Sequence, residues 1–198
     1  MVYQAQDISG DDAWGRLSRV ADACMHKGKV IDAVTERGEW HEIVKTLLNG
    51  IPLDSPNAKY QIKTCMLLNA LLSFHLNRRN FMRGSAEQVA KDLRISPELC
   101  DRFLDLFTSP LEAGGFGTSK HEKAKCLMFI LILYVVAQGR SMKVGTIKPI
   151  AETCKVEVGQ AVTSLREAGF TVQSDGMGAA LKVPLTFPGP KKRGGRGP

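Results

Sequence analysis

The chain has no apolar run long enough to cross a bilayer. The longest, Cys126 to Ala137, is 12 residues, whereas a spanning helix needs about 20. Met1 to Gly10 lacks the basic start and apolar core of a signal peptide, so no secretory leader is read there. The five cysteines (24, 65, 100, 126, 154) are odd in number, widely spaced and form no CxxC. That argues against a disulfide framework or a zinc site and predicts free, mostly buried thiols in a reducing compartment. There is no P-loop and no GxGxxG, and the glycines around Gly114 follow a helix rather than open one. The four histidines (26, 41, 75, 121) stand apart from the partners that a triad or metal centre requires. The expectation is a protein with no enzymatic activity, no cofactor and no metal, in which His75 is a core-edge residue rather than a ligand.

What is present is ordinary globular material: 43% hydrophobic and 24% charged residues in a chain of 198, enough for one or two small domains. The net charge of +7 is uneven. Residues 1–117 hold 14 Lys/Arg against 15 Asp/Glu, residues 118–187 hold 9 against 5, and the tail from Pro188 adds 4 basic residues and no acid. A positive C-terminal half suggests a polyanionic partner there, although charge alone fits a merely soluble basic protein equally well.

Residues 1–57 have weak periodicity, with short helices expected near Asp11 and over Glu39–Leu48, and are read as an ordered lead-in, a linker rather than a domain. Beyond it the chain repeats itself at an offset of 61 residues: Cys65 falls on Cys126, Arg79 on Arg140, Gly84-Ser85 on Gly145-Thr146, Ile95 on Val156 and Leu104 on Leu165. This gives units 58–118 and 119–187, followed by a basic disordered tail, 188–198. Each unit opens on a long helix. Lys59 to Leu76 carries the stripe Ile62, Met66, Ala70 and Phe74, and Lys120 to Ala137 is apolar almost all round from Cys126, so it should be the buried centre of its unit. A short second helix follows, capped by Ser85 with Gln88 in capping-box position, or by Thr146. The third starts at Ser96-Pro97 in the first unit and runs from about Val156 to Ala168 in the second.

The sequence FTVQSDGMGAALKVPL, from Phe170 to Leu185, then breaks the helical pattern. Phe170 and Val172 alternate with polar residues, Asp175 to Gly178 supply a turn, and Ala180 to Val183 return. Three helices followed by a two-stranded wing is the winged-helix order. The fold class expected is therefore mainly α with a small β-wing, a tandem winged helix preceded by a helical linker. The first unit's counterpart, Thr108 to Ser119, has little strand character and should form a reduced wing.

A helix-turn-helix relative usually reads DNA with its third helix. Here Glu98, Asp101 and Asp105 make the first one acidic, and the second is expected to expose Glu157, Gln160, Ser164 and Glu167 with only Lys155 and Arg166 to help. Base-specific readout is not expected. Contact with the phosphate backbone is, through Lys120, Lys123 and Lys125 on the long helix, Arg140, Lys143 and Lys148 around the joint, Lys155, Arg166, and Lys182 on the wing. Lys191, Lys192, Arg193 and Arg196 of the tail add to the set. Arg78, Arg79 and Arg83 form a secondary basic joint that could equally pair with acidic neighbours. The tail PKKRGGRG reads as a nuclear-import signal, as a nucleic-acid-binding segment or as plain solvation.

Several stretches together resemble one family. Val2-Tyr3 and Asp7-Ile8, the helix QIKTCMLLNALLSFHLNRRNFMRG, the helix KAKCLMFILILYVVAQ and the closing ALKVPLTFP follow, in order and spacing, the C-terminal region of the RNA polymerase I-specific heterodimer subunit of the forty-nine-kilodalton class (animal polymerase-associated factor). The resemblance covers almost the whole chain. It implies a tandem winged helix similar to that of the general factor TFIIE, a linker over the polymerase cleft, non-specific DNA binding near that cleft, and support of ribosomal RNA initiation and elongation. It also implies RNA polymerase I core and its initiation machinery as partners, and the nucleus and nucleolus as location. The family's N-terminal dimerisation domain has no counterpart in these residues, so pairing with the heterodimer partner is expected only through a domain outside them. Competing readings are a winged-helix scaffold that docks on a polymerase or other nuclear complex, its charge incidental, and a TFIIE-like factor of another polymerase. No membrane association is expected.

Overall fold

The computed structural model describes residues 4–26, 40–78, 81, 84–139, 147–173 and 179–181. Among these the chain is mainly helical, with two small antiparallel strand pairs. Helices α1 (Ala5–Ser9), α2 (Asp11–His26) and α3 (Glu42–Asn49) lead in. Then α4 (Ala58–Leu76), α5 (Ala86–Leu93), α6 (Pro97–Phe107), β1 (Ser109–Pro110) and β2 (Phe116–Gly117) form one series. The same order recurs in α7 (Lys120–Ala137), α8 (Ile147–Thr153), α9 (Val158–Glu167), β3 (Phe170–Val172) and β4 (Ala179–Leu181). The second and third helices and the first strand of the two series each begin 61 residues apart.

Local chemistry sets these boundaries. Ser85 and Ser96 cap α5 and α6, their hydroxyls accepting from the Gln88 and Leu99 amides. The Gln88 side chain donates to Asp92 at 2.6 Å instead of turning back, so only half of the expected capping box forms. A complete box forms at Ser119, a position not singled out from the sequence. Its hydroxyl accepts from the Glu122 amide, and Glu122 Oε2 accepts the Ser119 N–H at 2.6 Å. Helix α3 begins at Glu42, whereas Glu39 of the expected helix lies outside the described residues, as do the expected cap Thr146 and the turn residues Asp175 to Gly178.

Both long helices are central. Burial of α7 is as predicted, but α4 is buried to the same degree, with even Lys63 and Thr64 inside. The reason is that α4 is packed from two sides, by the lead-in helices and by α7. Gln61 Nε2 near the start of α4 donates to the Ala137 carbonyl at the end of α7 (3.1 Å), and His75 near the end of α4 lines one cavity with Lys120 and Lys123 at the start of α7. The two therefore run antiparallel. Phe74 packs against Phe81, Phe103 and Phe107, and Phe107 meets Phe129 of α7 edge-on at 5.6 Å, joining the two series through one apolar core. On the other flank Trp14 of α2 meets Tyr60 edge-on at 5.6 Å, and Lys63 Nζ sits 3.8 Å over the Trp14 ring.

All five cysteines are buried and none forms a disulfide. Burial pushes the Cys65, Cys126 and Cys154 thiols up to about 12 and Cys100 to about 11, so these four stay protonated and inert. In the second strand pair Phe170 faces Leu181 and Val172 faces Ala179, so the return strand starts one residue before its expected place. The first pair has two residues per strand, the reduced form expected. Ser164, expected at the surface, is buried, because it shares the inward face of α9 with Ala161, Leu165 and Ala168.

Candidate nucleic-acid interface

Seven of the cations singled out from the sequence fall among the described residues: Arg78, Lys120, Lys123, Lys125, Lys148, Lys155 and Arg166. Arg79, Arg83, Arg140, Lys143, Lys182, Lys191, Lys192, Arg193 and Arg196 lie outside them. Four of the seven, Arg78, Lys120, Lys123 and Lys155, come together around a cavity of about 490 Å³ between the end of α4, the start of α7 and the turn from α8 to α9. Lys120 and Lys123 are exposed, three residues apart on one face of the first turns of α7. Lys155 reaches the same place because the chain turns there through a left-handed residue, with φ of 56°. Gln160 of α9 completes that side. No carboxylate lines the cavity among the described residues.

The other cations are spent differently. Lys125 donates to the Leu106 carbonyl at 3.0 Å, satisfying a backbone acceptor in the last turn of α6, and lies 5.8 Å from the Phe107 ring centroid. Lys148 lies 3.8 Å from Glu152, one turn on along α8, an exposed pair of small energetic consequence. Arg166 is exposed in the last turn of α9, where a cation complements the helix dipole.

At the back of the cavity lie His75 and Arg78, whose link was not legible as chemistry. His75 is buried, with Nε2 3.3 Å from both the Cys154 carbonyl and Arg78 Nη2. One nitrogen cannot donate to the carbonyl and accept from the guanidinium at once. Whichever it does, Nδ1 is left in the interior without a partner among the described residues, as is Arg78 Nη1. Burial first, then the neighbouring guanidinium, lowers the His75 pKa to about 4, so the ring is neutral near pH 7. Arg78 thus faces an uncharged neighbour, and burial lowers its own pKa from the ordinary value. The available sequence signal was a histidine on an apolar helix with an arginine three residues later.

The third helix of the first series is held by the lead-in. Glu98 pairs with Arg16 of α2 at 2.7 Å, and Arg102 Nη2 donates to the Asp7 carbonyl of α1 at 3.2 Å. Its own backbone N–H, and then Arg16, keep the Glu98 carboxyl below its ordinary range. Asp101 and Asp105 stay exposed. That surface is acidic and partly occupied, unsuited to a phosphate backbone. At the N-cap of α9 and along it the outward residues include Glu157, Gln160, Arg166 and Glu167.

A model of the family described as A49-like RNA polymerase I associated factor matches residues 1–188. No curated protein matches the chain.

Proposed function

The chain belongs to the A49-like RNA polymerase I associated factor family, and on that premise we propose that its two helical series are winged helices whose second member holds DNA by the phosphate backbone. Membership itself makes the chain a polymerase I-associated transcription factor of the nucleus, in a non-catalytic subunit role. Our reading adds the finer assignments: a lead-in over residues 1–57, winged helices over 58–118 and 119–187, a basic tail from 188, DNA near the polymerase cleft, initiation and elongation on ribosomal RNA genes, and the nucleolus. The observation that carries it is the gathering of Lys120, Lys123 and Lys155 around one cavity with no carboxylate among its described lining residues, while α6 turns acidic residues outward.

Such a surface contacts phosphates without reading bases, so binding is steeply salt-dependent and nearly indifferent to sequence. Fluorescence anisotropy with a mixed-sequence duplex across a salt series tests this, on the intact chain and on one ending at Pro188. A steep slope that survives truncation supports the reading. Absence of binding at low salt overturns it. A docking scaffold is the second reading, favoured by the occupied, acidic α6, and it predicts a salt-resistant protein complex instead.

A further inference from the structure

The cavity between the two series has properties that a general basic face does not require. Its lining includes buried His75 and half-buried Arg78, each with an interior atom lacking a hydrogen-bond partner among the described residues. An interior guanidinium N–H without an acceptor is costly, so native proteins seldom leave one without compensation. Around the rim stand Lys120, Lys123 and Lys155, with Gln160 as a neutral donor. The lining comes from three separated places in the chain, the end of α4, the start of α7 and the α8–α9 turn, so the fold assembles this pocket rather than any one helix.

An approaching anion meets three further attractions. The first-turn amides of α7 that the Ser119–Glu122 box leaves uncapped carry the positive end of that helix's dipole. Lys120 and Lys123, which that dipole disfavours, are relieved by a negative charge. Arg78 Nη1, without a partner among the described residues, offers a charged donor to an oxyanion. At about 490 Å³ the cavity is in the size range of small-ligand sites and admits one phosphate with its adjoining sugar.

We propose that this pocket binds a single phosphate group, and that its occupant is one backbone phosphate of nucleic acid, with Arg78 as the fixed donor and Lys120, Lys123 and Lys155 as the closing cations. This rests on the DNA-binding reading and deepens it. It gives the first series a direct part in binding and fixes the register of the duplex on the protein, where a diffuse basic face would let it slide.

Two measurements on the full chain separate the pocket from the wider reading. The first follows the His75 ring and Arg78 side-chain resonances by NMR at pH 7 while inorganic phosphate replaces chloride at constant ionic strength. The expected result is a saturating shift in the wild type, with affinity at least tenfold weaker in Arg78→Gln. The second compares salt slopes for duplex binding. Arg78→Gln and the exposed Lys123→Gln should each lower the slope by about one unit. Lys123→Gln keeps the test valid should Arg78→Gln fold poorly. If phosphate leaves His75 and Arg78 unmoved while DNA still binds with a full slope in both variants, the pocket is overturned and the DNA reading survives. If phosphate binds but no duplex does, the nucleic-acid occupant is overturned together with that reading.

Discussion

Arg94 and Lys155 occupy the same left-handed backbone position at corresponding points of the two series, with φ of 54° and 56°. Each ends a second helix, and the residue after it closes the same bond: Ile95 N–H to the Ala90 carbonyl, and Val156 N–H to the Ala151 carbonyl. This is a helix C-cap of the kind that usually recruits glycine. A non-glycine residue costs roughly 1–2 kcal/mol there, and β-branching makes it worse. Lys155 and Arg94 already carry that cost, so Lys155→Val and Arg94→Val are expected to lose only the further strain of the β-branch, whereas Lys155→Gly should gain up to about 1 kcal/mol, glycine's greater chain entropy offsetting part of the relief, by urea denaturation. Equal tolerance of Val and Gly would mean that the turn is not left-handed in solution.

The lead-in belongs to the core physically, whatever its role. Trp14 is buried against Tyr60 and beneath Lys63, whose ammonium also donates to Ser18 Oγ. Trp14→Ala should cost about 3–5 kcal/mol, lowering Tm by roughly 10 °C in a chain of this size. Thermal unfolding by circular dichroism checks it. An unchanged Tm would show that α2 does not pack on α4.

His75 makes stability depend on mildly acid pH. Its folded pKa, about 4, lies below the ordinary 6.5, so the unfolded chain binds a proton that the native state refuses. Stability from this group is complete above about pH 6.5 and falls as pH drops toward 4, by at most about 3 kcal/mol. In His75→Gln the decline over that window should flatten relative to wild type. If chemical denaturation at pH 7 and pH 5 separates the two proteins by the same amount, the ring is not held neutral in the fold.

How much of this was legible follows from where the information lies. Helix starts were readable because caps are local: Ser85 and Ser96 act within three residues of themselves. The repeat was readable because it recurs at a constant offset. Burial of Lys63 was not, since it depends on Trp14 arriving from a helix far away in the chain. Nor was the division among the lysines. Lys123 and Lys125 lie two positions apart on α7, yet one faces the cavity and the other binds the end of α6, a difference that only packing decides. His75 read as a core-edge residue, and its place beside Arg78 required the Cys154 carbonyl of the other series to come within reach.

The capping box at Ser119 gives the last prediction, one that separates a cap from a surface carboxylate. Glu122 accepts from the Ser109 hydroxyl and from the Ser119 amide, each at 2.6 Å, and these bonds, Ser109's first, hold its pKa below the ordinary 4.5. A depressed carboxyl pKa contributes stability above the unfolded value and loses it as pH falls through the folded one. Ser119→Ala and Glu122→Ala should each cost about 1 kcal/mol at neutral pH. The double variant should cost less than the two combined, because either change already breaks the reciprocal pair. As pH falls below the ordinary carboxylate range the penalty of Glu122→Ala should shrink, while the Ser119 hydroxyl still accepts from the residue-122 amide and keeps its share. A Glu122→Ala penalty that does not change with pH would mean that the carboxylate makes no such bonds.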